Sequence, residues 1–168
     1  MNDVNKTIKR IAIYAGTFDP ITFGHLDVLE RASLLFDKVI IAIAASSSKK
    51  TIFTVEERIK MIKDSIGDIK NVEALSFKGL LVNFAKECNA TAIVRGLRAI
   101  SDFEYEFQMA LTNRKIEENV TTVFLMPNEK YTYLNSTLVR EISMLGGDVS
   151  AFVPENVNKK LKEKFANK

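Results

Sequence analysis

The 168-residue sequence predicts an α/β protein: a single domain over residues 1–168, built on one doubly wound sheet of five parallel strands. Three observations point there. Five short apolar runs recur along the chain, and segments with apolar residues three to four apart separate them. The best-defined runs are continuous rather than alternating, which suits strands covered on both faces, as parallel strands are.

Arg10 to Ala15 is the first run, and it stops at Gly16. Leu26 to Phe36 follows with the spacing of an amphipathic helix. Val39 to Ala44 is the second strand, apolar without a break. Thr54 and Glu57 form a capping box that opens a helix to about Ser65. Val72 to Phe77 is strand-like, Leu80 to Glu87 helical, and Ala92-Ile93-Val94 strand-like again. Ser101 with Glu104 reads as a second capping box, and Phe103, Phe107 and Leu111 carry that helix to about Ile116. Thr121 to Met126, ended by Pro127, is the fifth strand. A helix from Ser136 to Leu145 stops at Gly146-Gly147, and a last amphipathic helix after Pro154 sets Val157, Leu161 and Phe165 on one stripe.

Composition removes several function classes. With 46% apolar and 27% charged residues the chain is an ordinary water-soluble domain, large enough to fold without staples. Cys88 is the only cysteine and His25 the only histidine, too few soft ligands for a zinc site. The net charge of +3 is small, and basic residues alternate with acids except near the C-terminus, so no nucleic-acid partner is expected. No apolar run reaches about 18 residues and no signal-like start is visible, so a cytoplasmic protein without membrane contact is expected.

In doubly wound sheets ligands lie beyond the carboxyl ends of the strands, so function is sought in those loops. The first runs from Gly16 to His25, a strand-to-helix connection whose helix N-terminus attracts phosphate, with Gly16 allowing close backbone approach. It matches neither GxGxxG nor a P-loop. His25 is either a satisfied structural imidazole or a phosphate-facing group, and its place at the helix start favours the second. The loop after the second strand, Ser46-Ser47-Ser48-Lys49-Lys50, offers a mobile cation at Lys49. Arg95-Gly96-Leu97-Arg98 sets two guanidinium groups about a glycine, a pattern suited to bidentate phosphate recognition, with Glu106 nearby to orient them or meet a ribose. After the fifth strand, Tyr131-Thr132-Tyr133-Leu134-Asn135-Ser136-Thr137 ends in three capping-type residues at another helix start. Together these describe a phosphate-rich ligand and transfer chemistry that works by positioning and charge neutralisation, with no Ser/His/Asp triad or paired-carboxylate site.

These motifs carry a resemblance. Gly16 to His25 resembles the (T/H)xGH signature of the nucleotidyltransferase superfamily, and Asn135 to Arg140 resembles its Ser/Thr-rich second signature. With Ser48-Lys49-Lys50, Phe53 to Arg58, Arg95 to Arg98, Asp102 to Glu106 and Phe152 to Val157, the chain from about residue 10 to 160 is similar to the bacterial phosphopantetheine adenylyltransferases.

That resemblance implies a Rossmann-like nucleotidyltransferase fold and transfer of AMP from ATP to 4′-phosphopantetheine, giving dephospho-coenzyme A and pyrophosphate in coenzyme A synthesis. It implies that His25 and Lys49 act on the transferring phosphate with the backbone of Thr17 and Phe18. Thr17, Lys49, Leu81 and Arg95 would hold phosphopantetheine. Gly96, Leu97, Arg98, Glu106 and residues Tyr131, Thr132, Tyr133, Leu134, Asn135, Ser136 and Thr137 would hold ATP. Magnesium would arrive on the triphosphate rather than sit in a protein cage. Where Asn135 stands the family often has serine, so a backbone contact is expected there rather than a side-chain one. The resemblance also implies a hexamer, with the apolar 101–116 helix as the candidate surface.

Alternatives stay open at this stage. Nicotinate mononucleotide adenylyltransferases usually carry histidine at the position of Thr22, and cytidylyltransferases have an arginine-led second signature that this chain lacks. A non-catalytic nucleotide-binding module is the alternative from another class. The protonation of His25 is also open, because a helix dipole disfavours imidazolium whereas a triphosphate favours it.

Overall fold

A computed structural model describes residues 9–45, 50–98 and 100–166. The five expected strands are β1 (Ile11–Gly16), β2 (Lys38–Ala44), β3 (Val72–Phe77), β4 (Ala92–Gly96) and β5 (Thr121–Leu125). They form one sheet in the order β3-β2-β1-β4-β5, and every pair is parallel. The chain winds from β1 outward through β2 to β3, then restarts on the other side of β1 with β4. Beyond the carboxyl ends of β1 and β4 the crossovers diverge and leave a crevice.

Both faces of the sheet are covered, as the unbroken apolar strands require. On one face Tyr14, Val39, Ile41, Ile43 and Val94 meet α1 (Phe23–Leu35), α2 (Val55–Ser65), α5 (Ser136–Met144) and α6 (Glu155–Phe165). Those helices contribute Val28, Leu29, Met61, Ile62, Val139, Val157 and Leu161. Each buried aliphatic side chain of this kind stabilises the fold by about 1.5–3 kcal/mol relative to exposure. On the other face Ile13, Ile40, Ala42 and Ile93 pack with Val82 and Ala85 of α3 (Leu81–Glu87). Among the described residues no helix is long and apolar enough to cross a membrane.

Two elements differ from expectation. Helix α1 starts at Phe23 rather than Leu26, because Thr22 caps it, and it ends at Leu35 with Phe36 already extended. Helix α4 (Ile100–Ile116) is helical before Ser101, and the predicted Ser101 capping box rests on a side chain outside the described ones. The stripe that α4 turns inward is Glu106, Ala110 and Asn113, while Phe103, Tyr105, Phe107, Met109 and Leu111 are all at least 40% exposed.

The loop between β1 and α1 is held by polar groups from distant parts of the chain. Asp19 is 1% exposed, and its carboxylate accepts from the N–H groups of Ile52 (2.9 Å) and Phe53 (3.0 Å) just ahead of α2. Arg140 of α5 pairs with the same carboxylate at 3.6 Å and donates to the Asp19 carbonyl. Arg58 of α2, 3% exposed, donates to the Thr17 carbonyl at 2.8 Å, and the Ser136 hydroxyl donates to the Pro20 carbonyl at 2.7 Å. Removing the carboxylate leaves two N–H groups without their acceptor and takes the counter-charge from the Arg140 guanidinium. Asp19→Ala should therefore lower the unfolding free energy by about 3–5 kcal/mol, measured by urea denaturation. A loss below about 1 kcal/mol would show that solvent reaches these groups.

Candidate active site

The site is built from the loop just described. After β1 the chain turns sharply at Phe18, whose φ is +48°, and passes through a cis Asp19-Pro20 bond to Thr22. Gly16 lines the cleft, and a Cβ there would lie 2.8 Å from the Phe18 ring, so the missing side chain also makes room for that ring.

Thr22 is the N-cap of α1, and its hydroxyl accepts from the His25 N–H at 3.4 Å. In return the Thr22 N–H donates to Nδ1 of His25 at 3.1 Å, so histidine takes the part that glutamate plays in an ordinary capping box. A ring nitrogen that accepts an N–H carries no proton, so the imidazole is the tautomer with its hydrogen on Nε2. Electrostatics agree. Burial, then the charges of Arg98 and Arg95, lower the His25 pKa to about 3, so the free protein holds a neutral imidazole with one N–H to offer.

Arg95 leaves the end of β4 and is clamped by Glu106 of α4 through two bonds, Nε at 2.7 Å and Nη2 at 2.6 Å. Its Nη1 donates to the Ala15 carbonyl at the end of β1, also at 2.6 Å. Burial works against the Arg95 charge, but the hydrogen bonds and charge of Glu106 outweigh it and raise the pKa. Of the five guanidinium N–H groups, three are engaged among the described residues. The remaining pair can meet a phosphate. Arg98 donates to the Leu134 carbonyl at 3.3 Å and adds its charge to the same side. Tyr14 sits below both arginines, and burial pushes its hydroxyl pKa far up against their opposing pull.

These groups line a cleft of about 550 Å³ at the ends of β1 and β4. Of the residues singled out in the sequence, Thr17, Phe18, His25, Leu81, Arg95, Gly96, Arg98, Glu106 and Leu134 line it. Lys49 lies outside the described residues. Leu97, Tyr131, Thr132, Tyr133, Asn135, Ser136 and Thr137 are not part of its lining. Tyr131 stacks on Phe23 with centroids 6.3 Å apart, and Tyr133 meets Phe152 edge to face. The Asn135 side chain accepts from Leu138 N–H at 2.8 Å and caps α5, and the Thr137 hydroxyl accepts from Arg140 at 3.1 Å. Glu106, expected to meet ATP, has both carboxylate oxygens on Arg95.

Comparison with known proteins now bears on this arrangement. Residues 13–142 match the cytidylyltransferase-like family. A phosphopantetheine adenylyltransferase of Caldanaerobacter subterraneus subsp. tengcongensis is 53% identical over 156 residues, covering 93% of this chain and 98% of its own. Another, of Thermodesulfovibrio yellowstonii, is 55% identical over 157 residues, with the same coverage of each chain. The chain belongs to the phosphopantetheine adenylyltransferases of the cytidylyltransferase-like family. A solved structure of Plasmodium falciparum nicotinic acid mononucleotide adenylyltransferase complexed with NaAD superposes with a TM-score of 0.70 over 94% of this chain and 96% of that one. At 17% identity that likeness speaks for the fold alone.

Asp19, Thr22, Arg58 and Arg140 stand inside the motif segments read from the sequence, but that reading assigned none of them a part in the site: they secure the loop or the imidazole. Thr22 left a signal, a capping residue three places before the only histidine. Because His25 is alone of its kind, its ring resonance can be followed without assignment. It should not titrate between pH 5 and 8. The unfolded chain binds a proton near pH 6.5 that the native ring refuses until about 3, so this group also makes stability decline as pH falls through that interval. A midpoint near 6.5 in the folded protein would mean an exposed, freely protonating ring.

Proposed function

We propose that this protein transfers AMP from ATP to 4′-phosphopantetheine, releasing pyrophosphate and forming dephospho-coenzyme A. The relatives at 53–55% identity support the assignment. The observation that carries the mechanism is the Thr22-to-Nδ1 hydrogen bond, which leaves His25 a fixed Nε2–H donor in a cleft flanked by Arg95 and Arg98. An oxygen of the phosphopantetheine phosphate attacks the α-phosphorus of ATP, a new P–O bond forms, and the bond to the β-phosphate bridging oxygen breaks. The nucleophile needs no general base, since a phosphate monoester with a second pKa near 6 is already anionic at neutral pH. His25 donates to a non-bridging α-phosphate oxygen as charge shifts in the transition state.

Arg95, aimed by Glu106, holds the acceptor phosphate together with Thr17, Lys49 and Leu81. Gly96, Leu97, Arg98 and the 131–137 segment hold ATP. Of that segment Leu134 lines the cleft of the free protein, and in this reading its other residues meet the nucleotide only when it is bound. Glu106 serves ATP through the arginine it orients. Among the described residues no three of His, Cys, Asp and Glu stand together as a metal site, so magnesium would keep phosphate oxygens and water as its ligands. A cytoplasmic location fits a consumer of ATP.

The decisive assay is pyrophosphate release from ATP. It should require 4′-phosphopantetheine, and nicotinate mononucleotide should not replace it. His25→Ala should lower kcat by about 10²–10³-fold, the usual loss for one preorganised donor, with a smaller change in KM for ATP. Release with nicotinate mononucleotide alone would redirect the substrate assignment, and a near-normal kcat in the variant would make His25 a structural cap.

We also propose a hexamer. Six large apolar side chains stand exposed on α4 (Phe103, Tyr105, Phe107, Met109, Leu111 and Ile116), a patch of the kind that marks a protein interface. Sedimentation equilibrium at micromolar protein should give about six chains per particle, and a stable monomer would overturn the assembly without touching the chemistry.

A further inference from the structure

Phe18 contributes more than backbone to its loop. A bulky residue rarely adopts a φ of +48°, and such a turn persists only where its surroundings enforce it. Its consequence is the position of the ring. The side chain folds back over its own loop, 3% exposed, edge to face with Tyr14 at 5.3 Å and with His25 at 5.1 Å. Space for it depends on Gly16, where a Cβ would stand 2.8 Å from the ring. The turn, the gap and the two aromatic contacts all serve a single ring placement.

We propose that Phe18 is a positioning residue for the transfer: its ring holds the plane of His25 and shields from water the part of the imidazole turned away from the cleft, so that the imidazole meets the ligand as an Nε2–H donor. The kinetic part of this rests on the adenylyl-transfer reading; the rest stands on the free protein. Several groups face or act on His25. Thr22 comes from its own helix cap, Arg95 and Arg98 from the end of β4, Tyr14 from β1, and Glu106 of α4 through Arg95. The guanidinium charges also oppose protonation, but burial is the larger cause. If water reached the ring, a proton at Nδ1 would turn that nitrogen into a donor facing the Thr22 donor. The hydrogen bond that aims the ring would be lost.

Two substitutions displace the same ring from opposite sides. Phe18→Leu removes the aromatic edge and keeps apolar bulk, whereas Gly16→Ala pushes an intact ring away. In each folded variant the His25 ring resonance should titrate at least about one pH unit above the wild-type midpoint, toward the ordinary value of about 6.5. With ATP and 4′-phosphopantetheine, kcat should fall about tenfold or more while KM for ATP changes less than about threefold. The loss should deepen as pH drops through the raised midpoint. An unchanged titration with kcat within about twofold of wild type, in either folded variant, overturns the proposal. Should Gly16→Ala fail to fold, Phe18→Leu decides by the same readings. A wild-type protein that releases no pyrophosphate would count against adenylyl transfer alone, because the titration is read without substrate.

Discussion

Asp19 is a carboxylate shut away from water, and an ionised group so placed is costly unless its surroundings replace hydration. Here two backbone N–H groups and a guanidinium do so. The partners come from the segment before α2 and from α5, so the interaction also settles how these two helices approach the carboxyl end of β1. Arg58 repeats the arrangement with opposite sign, a buried cation against the Thr17 and Thr54 carbonyls. A loop pinned from both sides can maintain a left-handed turn at Phe18 that an isolated segment would relax. The position of His25 follows from that turn, because Thr22, its hydrogen-bond partner, ends the same loop.

The cleft also gathers positive charge on one side. Arg95 and Arg98 supply charge, and Glu106 removes freedom from one of them while reducing its net field. A protonated histidine beside them would be a third cation, which burial and the two guanidinium charges oppose. A neutral donor still stabilises developing charge on a phosphoryl oxygen, because its dipole is already aimed and needs no rearrangement during reaction.

The sheet was legible because burial on both faces writes unbroken apolar runs into Ile11 to Ala15 and Val39 to Ala44, and the Thr54–Glu57 box marked α2 to the residue. The start of α1 was not legible in the same way. Its inner turn contains Gly24 and His25, which carry no apolar periodicity, and the cap partner is a histidine rather than an acid. For α4, the spacing of Phe103, Phe107 and Leu111 marked the helix, and the structure leaves all three exposed while Glu106, Ala110 and Asn113 are half-buried. Periodicity identifies a helix but not which neighbour its apolar face serves. The cleft itself was readable from strand ends and phosphate-seeking residue types. Its supports were not, since Asp19, Arg58 and Arg140 act on carbonyl and N–H groups 33 to 121 residues away in the sequence, and such pairings leave no local pattern.

The hydrogen bond from Thr22 to His25 belongs to a helix cap and, in the proposed mechanism, also to the donor that serves the transfer. Caps are ordinarily interchangeable: serine, aspartate or asparagine can replace threonine with small losses, and the partner three residues on is free to vary. In this protein that freedom is gone, because any change that improves the helix start by altering the partner removes the donor. Conversely, a change made for catalysis at residue 25 weakens the first turn of α1. Stability and rate therefore cannot be tuned separately at this point of the chain, and attempts to make the protein more heat-resistant are better directed at the other helix ends.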